Sequence, residues 1–169
     1  NLSGKIIAFG ARILSKEKSV DQPKYINSPE TEIYHKSSVL FGLYFGKNVI
    51  RQQDNCYLVE GYTDVISMHQ AGVENVVSAS GTALTEDQVK LIRRFTDNVT
   101  ILFDGDAAGI KAALRGIDLL LAGGLNVRTV LLPEGHDPDS YSKSVGNAAL
   151  LQYLKESATD FISFKANLF

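Results

Sequence analysis

After residue 52 the sequence alternates between short apolar segments and longer segments with helical periodicity. CYLVE, NVVSAS, NVTILF and NVRTVLL have the length and composition of buried strands. The clearest helix is predicted over residues 107–122, where apolar residues form one stripe that ends at Gly123 and Gly124. This alternation predicts an α/β fold in which helices cover both faces of a mostly parallel sheet.

The first 51 residues differ from the rest in pattern and in charge. A strand or hairpin arm is predicted over residues 5–14, and a partly buried helix is predicted to follow a cap at Ser37 or Ser38. This part holds eight Lys and Arg and four acids, a charge of +4, whereas the remainder carries −6. A basic part beside an acidic part suggests a polyanionic partner next to a cation site, although an unevenly charged, solvated surface explains the charges equally well.

Acidic residues follow three of the predicted strands at the point where each strand ends. Because the carboxyl ends of parallel strands lie along one edge of a sheet, where ligands bind, we expect these acids to converge. One further acid lies one turn into the helix after the first of these strands and can reach the same place. The acids are Glu60, Asp64, Asp104, Asp106, Asp137 and Asp139.

Such a group of carboxylates repels itself unless cations lie among its members. Oxygen ligands around a partly open site suit Mg²⁺, for which Mn²⁺ can substitute, and Mg²⁺ recruits phosphate-bearing substrates. For one motif alone, a simpler interpretation is better, with Asp106 as a helix N-cap and DPD as a turn. The arrival of acids at three strand ends favours the metal site. The single cysteine, Cys56, excludes a cysteine-based zinc site and is expected to be buried in a strand.

Three acidic segments resemble the motifs of the Toprim domain, which topoisomerases, certain nucleases and bacterial primases share. These segments are VEGYTD (59–64), FDGDAAG (103–109) and DPDSY (137–141). A second set resembles the bacterial DNA primases in particular, including the lobe that precedes their Toprim domain. This set comprises FGARIL (9–14), PKYINSPET (23–31), HK (35–36) and SASGTALT (78–85). The resemblance spans nearly the whole chain and identifies it as similar to part of the primase RNA polymerase core.

This resemblance implies a nucleotidyltransferase that synthesises short RNA primers on a single-stranded DNA template for the replicative helicase and polymerase. A primer 3′-hydroxyl would attack the α-phosphate of a ribonucleoside triphosphate, with two or more metals holding the triphosphate. The resemblance implies that Glu60, Asp104 and Asp106 are the leading metal ligands and catalytic residues. It implies that Asp64, Asp137 and Asp139 form the rest of the acidic site. It further implies Lys24, Tyr25 and Asn27 at the nucleotide, and Arg12 and Lys36 along the DNA path.

The resemblance also implies a domain organisation. We predict a basic α+β lobe over residues 1–51, a Toprim domain over 52–148 and a C-terminal helical segment over 149–169. Bacterial primases carry an N-terminal zinc-binding domain and a C-terminal helicase-binding domain, and neither is expected in this sequence. Because the first residue is Asn1 rather than Met, we expect a piece of a longer chain, with no zinc in this piece.

Two other functions stay open from the sequence. One is a phosphatase-like or phosphotransferase enzyme, in which Asp104 is the nucleophile and Asp106 the acid, but this leaves the motifs of the basic lobe unexplained. The other is a non-catalytic Toprim module that only binds DNA, against which the presence of all six acids argues. No apolar run approaches the roughly 20 residues that a membrane helix needs, and no signal peptide is visible. A reducing, cytoplasmic setting is expected because the sequence has a single cysteine.

Overall fold

The computed structural model describes residues 1–12, 25–79, 83–103 and 107–168 of the chain. The strands among these residues are β1 (Gly10–Arg12), β2 (Tyr25–Asn27), β3 (Cys56–Val59), β4 (Val76–Ser78), β5 (Asn98–Phe103), β6 (Asn126–Leu131) and β7 (Thr159–Asp160). The helices are α1 (Leu43–Gln53), α2 (Tyr62–Gln70), α3 (Glu86–Arg93), α4 (Ala107–Ala122), α5 (Pro138–Val145), α6 (Asn147–Glu156) and α7 (Phe161–Leu168), and a short 3-10 helix covers Lys36–Ser38.

The larger of the two sheets has the strand order β4-β3-β5-β6-β7. The first four strands in this order run parallel, and β7 runs antiparallel to β6 at the edge. The predicted α/β fold with a mostly parallel sheet is therefore confirmed. The sequence did not predict β7, which separates α6 from α7 within the segment that was expected to be wholly helical.

Helices cover both faces of this sheet because its strands carry apolar side chains on both sides. Along β5, Val99, Ile101 and Phe103 belong to one apolar cluster, whereas Leu102 belongs to another. This is the alternation of side chains expected along a strand. Residues of α1, α3, α4 and α7 complete the first cluster, and residues of α2 and α6 complete the second. The strands are thus buried on both faces, as is usual in parallel sheets.

The N-terminal part contains a two-stranded antiparallel hairpin. In it, Gly10 of β1 lies opposite Asn27 of β2, and Arg12 lies opposite Tyr25. In the described part of the predicted strand over 5–14, only Gly10–Arg12 is a strand. Among the described side chains of the hairpin, Ile26 is 54 % exposed, and Phe9 beside β1 is 76 % exposed. The core of the molecule therefore lies in and around the larger sheet.

Helix α1 begins later than predicted. The expected caps, Ser37 and Ser38, lie in the 3-10 helix, and the N-cap is Gly42. The intervening chain is extended because Phe41 pairs with Ser78 of β4 through two backbone hydrogen bonds. Gly42 then turns the chain in a left-handed conformation, with φ of 87°, and a Cβ there would lie 2.7 Å from the carbonyl oxygen of Val76. A long-range pairing therefore overrides the local capping signal.

The predicted domain boundary after residue 51 falls inside α1. This helix packs closely on the sheet, since a Cβ on Gly46 would lie 2.7 Å from the carbonyl oxygen of Glu74, just before β4. The division into three regions stays a prediction. No helix in the described part of the chain has both the length and the apolar character needed to span a membrane.

Candidate functional site

The carboxyl ends of β3, β5 and β6 lie side by side. The parallel registers pair Leu58 with Ile101 and Phe103 with Leu131, so these strands end at one edge of the sheet. Glu60 follows β3 directly. Asp104 and Asp106, which follow β5 in the sequence, lie outside the described residues. The roles of Asp104 and Asp106 therefore stay predictions. The described acids of the site follow the neighbouring strands β3 and β6.

Asp64 is the most deeply buried of the described acids, with 6 % of its surface exposed. Burial raises the pKa of its carboxyl group to about 6. A hydrogen bond from the Gly61 N–H, at 2.9 Å, opposes this rise, while the nearby carboxylates of Asp137, Glu60 and Asp139 add to it. The structure thus brings acids from the ends of β3 and β6 close enough together to disfavour ionisation of Asp64.

Asp137 is the N-cap of α5. Its Oδ1 accepts a hydrogen bond of 2.7 Å from the Ser140 N–H, and Pro138 occupies the start of the helix. The serine hydroxyl in turn accepts a hydrogen bond of 3.0 Å from the Asp137 N–H. Asp137 therefore caps a helix at its positive end, whereas the simpler interpretation of the sequence expected only a turn at DPD.

Asp139 lies in a different electrostatic environment, because cations and donors surround it. Burial opposes ionisation of Asp139, but hydrogen bonds from the Lys143 ammonium, at 2.7 Å, and from the Ser67 hydroxyl outweigh it. The charges of Lys143 and Arg12 act in the same direction, and the pKa of Asp139 lies below its ordinary value. Because Ser67 belongs to α2, Asp139 also ties α5 to α2.

A metal ion would need more than the described acids. Within residues 1–12, 25–79, 83–103 and 107–168, no three His, Cys, Asp or Glu side chains are grouped closely enough to hold a metal ion. The donor chemistry nevertheless fits a hard divalent cation, since the acids at this edge offer carboxylate oxygens and Asp64 is destabilised in its charged form. That Asp104 or Asp106 completes a metal site at this edge therefore stays a prediction.

The predicted cationic residues differ in what they contact. Arg12 donates from Nη1 to the Thr63 hydroxyl at 2.9 Å, so it points towards the first turn of α2. It thus also points towards the acidic edge of the sheet, by which we mean the edge with Glu60, Asp64, Asp137 and Asp139. Lys36 is held through its backbone, where its N–H donates to Glu30 at 3.0 Å and its carbonyl accepts from the Gln88 amide at 3.0 Å. Lys24 lies outside the described residues.

The predicted nucleotide-binding residues include two in β2. Tyr25 is placed by its backbone opposite Arg12 in the hairpin. Asn27 accepts a hydrogen bond from the Tyr62 hydroxyl through its Oδ1. Asn27 therefore connects the hairpin to α2, a contact that the sequence motif alone does not reveal.

Gln88 makes hydrogen bonds both within its own helix and to a distant part of the chain. At the start of α3, Gln88 forms a capping box with Thr85: Gln88 N–H donates to the Thr85 hydroxyl at 3.3 Å, and Gln88 Oε1 accepts from the Thr85 N–H at 3.1 Å. The side chain is fully buried, and its amide also donates to the carbonyls of Lys36 and Val39. It thereby fixes the backbone of a predicted DNA-contacting lysine, and the sequence carries no local signal for that contact.

Comparison with known proteins places these features in a family. The chain matches the Toprim-like family over residues 57–142, half of its length, and the N-terminal domain of the DNA primase catalytic core over residues 1–47. It is 45 % identical over 165 residues to a DNA primase of Clostridium acetobutylicum, covering 97 % of this chain and 26 % of that protein. It is 44 % identical over 158 residues to a DNA primase of Aquifex aeolicus, covering 94 % of this chain and 31 % of that protein.

Solved structures agree with the sequence relatives. A DNA primase domain from Pseudomonas aeruginosa superposes with a TM-score of 0.87 at 40 % identity, covering 97 % of this chain and 51 % of that one. The E. coli primase catalytic core superposes with a TM-score of 0.85 at 36 % identity, covering 99 % of this chain and 53 % of that one. The chain spans between a quarter and a third of the length of the two curated relatives.

The resemblance to bacterial primases predicted from the motifs is confirmed by these matches. Membership of this family generally implies the use of a divalent metal, in line with the carboxylate chemistry of the edge. The chain belongs to the Toprim-like family, and nearly its whole length is related to the catalytic core of DNA primases.

Proposed function

We propose that the chain is part of the catalytic core of a DNA primase, which copies single-stranded DNA into short RNA primers by metal-dependent nucleotidyl transfer. The observation that carries this proposal is the acidic edge, where Asp64 is buried among Glu60, Asp137 and Asp139 and where Arg12 of the basic lobe reaches in. Polymerisation of nucleotides requires such an arrangement, because carboxylates hold cations and cations hold phosphates.

The relatives support the nucleic-acid part of the proposal. One solved neighbour, 36 % identical with a TM-score of 0.82, is a DnaG primase catalytic domain bound to single-stranded DNA. Another, 37 % identical with a TM-score of 0.82, is the RNA polymerase domain of the Mycobacterium tuberculosis primase with a double-stranded DNA oligomer that carries a 6-nucleotide overhang. We therefore propose a single-stranded DNA template and ribonucleoside triphosphates as the ligands of this chain. The phosphatase-like alternative is not favoured, since the relatives that match nearly the whole chain are DNA primases.

Within the acidic edge we assign the roles as follows. Glu60, Asp104 and Asp106 are the leading ligands of Mg²⁺, for which Mn²⁺ can substitute, and Asp64 adds negative charge near Glu60. When bound, the metal would neutralise the triphosphate and stabilise the attacking and leaving oxygens. Asp137 and Asp139 complete the acidic site in this proposal, and their contacts show that they also hold α5 in place.

Around this edge the basic lobe supplies the contacts to polyanions. We assign Lys24, Tyr25 and Asn27 to the nucleotide, and Arg12 and Lys36 to the DNA. We also propose the division into a basic lobe over residues 1–51, a Toprim domain over 52–148 and a C-terminal segment over 149–169. We assign contact with the replicative helicase to the C-terminal domain that the resemblance implies for the longer protein. We propose that this protein acts in the cytoplasm.

The test is primer synthesis by the full-length primase that contains this chain. We expect Asp104→Asn and Glu60→Gln to abolish synthesis on a single-stranded template without lowering the unfolding temperature, because removing one carboxylate from a self-repelling group does not weaken packing. The matched control is Asp118→Asn, which changes an exposed acid on α4 and should leave synthesis unchanged.

Three results would contradict the proposal. Synthesis that survives both site substitutions would remove the metal assignment. A large fall in unfolding temperature with Asp104→Asn would make this aspartate a turn-and-cap residue instead. DNA binding by the wild-type protein without any primer synthesis would leave only the non-catalytic Toprim module.

A further inference from the structure

Tyr62 stands between two predicted acids, Glu60 and Asp64, but has no part in the metal chemistry proposed above. It is the first residue of α2, and its side chain extends to the β1–β2 hairpin. There its hydroxyl donates a hydrogen bond to Oδ1 of Asn27, which lies 35 residues earlier in the chain. The residue therefore belongs to the acidic motif by sequence and to the basic lobe by contact.

The ring of Tyr62 fits into a space that only a glycine leaves open. A Cβ on Gly10 would lie 2.7 Å from Cε2 and 2.9 Å from Cζ of this ring, closer than real contacts allow. On another side, the ring of Phe41 meets it edge-to-face, with centroids 4.7 Å apart and an interplanar angle of 74°. Since Gly10 lies directly opposite Asn27 in the hairpin, one cross-strand pair holds both the ring and the hydroxyl of Tyr62.

A second contact joins the same two elements. Arg12 donates from Nη1 to the hydroxyl of Thr63, at 2.9 Å, one residue after Tyr62. Gly10 and Arg12 are two positions apart in β1, so they lie on the same face of the hairpin. The hairpin is thus attached by one face to the first turn of α2, at Tyr62 and Thr63. We call this attachment the hairpin latch.

We propose that Tyr62 is a positioning residue, which acts through the hairpin latch to fix the basic lobe against the acidic edge. The hairpin carries Asn27 and Arg12, which we assign to the nucleotide and the DNA, whereas Tyr62 lies two residues after Glu60. The latch therefore sets the distance between the groups that hold the substrates and the groups that hold the metal. This inference rests on the function proposed above, since it assigns Tyr62 to the same reaction.

The kinetic test is a double-mutant cycle in the full-length primase with Gly10→Ala and Tyr62→Leu. Each single change should lower kcat/KM for primer synthesis by about tenfold, because displacements on the order of 1 Å are costly in catalysis. In the Tyr62→Leu background, Gly10→Ala should have no further effect, since its Cβ then meets no ring. Tyr62→Phe, which keeps the ring and loses only the hydroxyl, should lie between wild type and Tyr62→Leu.

The control for the glycine substitution is Gly116→Ala in α4, where a Cβ would meet no atom within 4 Å. It should leave kcat/KM unchanged. Equal losses from Gly10→Ala in the wild-type background and in the Tyr62→Leu background would show that Gly10 does not act through the ring. That result would overturn the proposal.

The placement of the hairpin can be measured without any activity. Spin labels on Phe9→Cys and Ile66→Cys, whose native side chains are 76 % and 47 % exposed, report the distance between the hairpin and α2, while Cys56 is fully buried. We expect one narrow distance distribution in the otherwise unchanged chain and a broader or displaced one with Tyr62→Leu or Gly10→Ala. Unchanged distributions would overturn the latch. If distances change as expected but Asp104→Asn and Glu60→Gln do not affect synthesis, the latch stands and the proposed function falls.

Discussion

Asp64 and Asp139 are two aspartates at the same edge of the sheet, yet their pKa values shift in opposite directions. Burial raises the pKa of Asp64 to about 6, and one backbone N–H from Gly61 opposes the rise without cancelling it. Asp139 has a lowered pKa because Lys143, Ser67 and Arg12 stabilise its charge. A carboxylate with a cation beside it can stabilise the packing of the helices it joins, whereas a buried carboxylate with other acids nearby would be stabilised by a bound cation. From these opposite shifts we predict that Asp139 acts mainly as a structural acid and that Asp64 gains from a bound cation.

The largest expected effect is the pH dependence of stability that Asp64 contributes. Because its pKa is raised in the folded state from an ordinary value of 3.8, the folded protein retains the proton longer, and stability falls as the pH rises from about 4 to about 6. In the absence of metal, Asp64→Asn should remove this fall and raise the free energy of unfolding at pH 7 by at most about 3 kcal/mol. Chemical denaturation at pH 3.5 and pH 7, each without metal, measures the difference. A variant whose advantage is the same at both pH values would refute the assignment.

The second effect is on metal affinity. If Asp64 gains from a cation, then Asp64→Asn should weaken Mn²⁺ binding by ten- to hundredfold, as loss of an acid beside a ligand typically does. Asp139→Asn should change the affinity much less, because Lys143 already balances that charge. Calorimetric titration of the chain with Mn²⁺ compares the two variants directly. Similar losses in both would erase the distinction between the two acids.

The smallest effect is on folding stability through Asp139. Asp139→Ala removes the partner of the buried Ser67 hydroxyl and of Lys143, and should cost about 1–2 kcal/mol of unfolding free energy. The control is Asp97→Ala, which breaks an exposed ion pair with Arg93 and should cost well under about 1 kcal/mol. Urea denaturation at pH 7 measures both. If the two variants lost the same small amount, Asp139 would not be a structural acid.

The elements that the sequence predicted well are those set by local chemistry. Helix α4 runs over the predicted residues 107–122 because one apolar stripe and two following glycines define it, and the capping box of α3 forms as its spacing indicates. The predicted start of helix α1 was wrong because Phe41 pairs with Ser78, a partner 37 residues away that no local pattern reveals. Strand β7 is two residues long and carries no period that could be recognised.

The same contrast between local and long-range determinants applies to the acidic site. The rule that parallel strands end at one edge is enough to predict that Glu60 and Asp137 lie near Asp64. The partners of these acids are harder to predict. The spacing of four residues on one helix is enough to predict the pairing of Lys143 with Asp139. The contact of Ser67 with Asp139 and that of Tyr62 with Asn27 depend instead on how separate elements pack.

The short pairings at the two sides of the larger sheet have a consequence for solubility. Strand edges with free N–H and C=O groups are templates on which other chains add and aggregate. Here β7 covers part of β6 on one side, and Phe41 covers the end of β4 on the other, each by antiparallel pairing. We therefore expect these two short pairings to hinder edge-to-edge association of a sheet that is rich in Val, Ile and Leu. On the covering side they involve Phe41, Thr159 and Asp160.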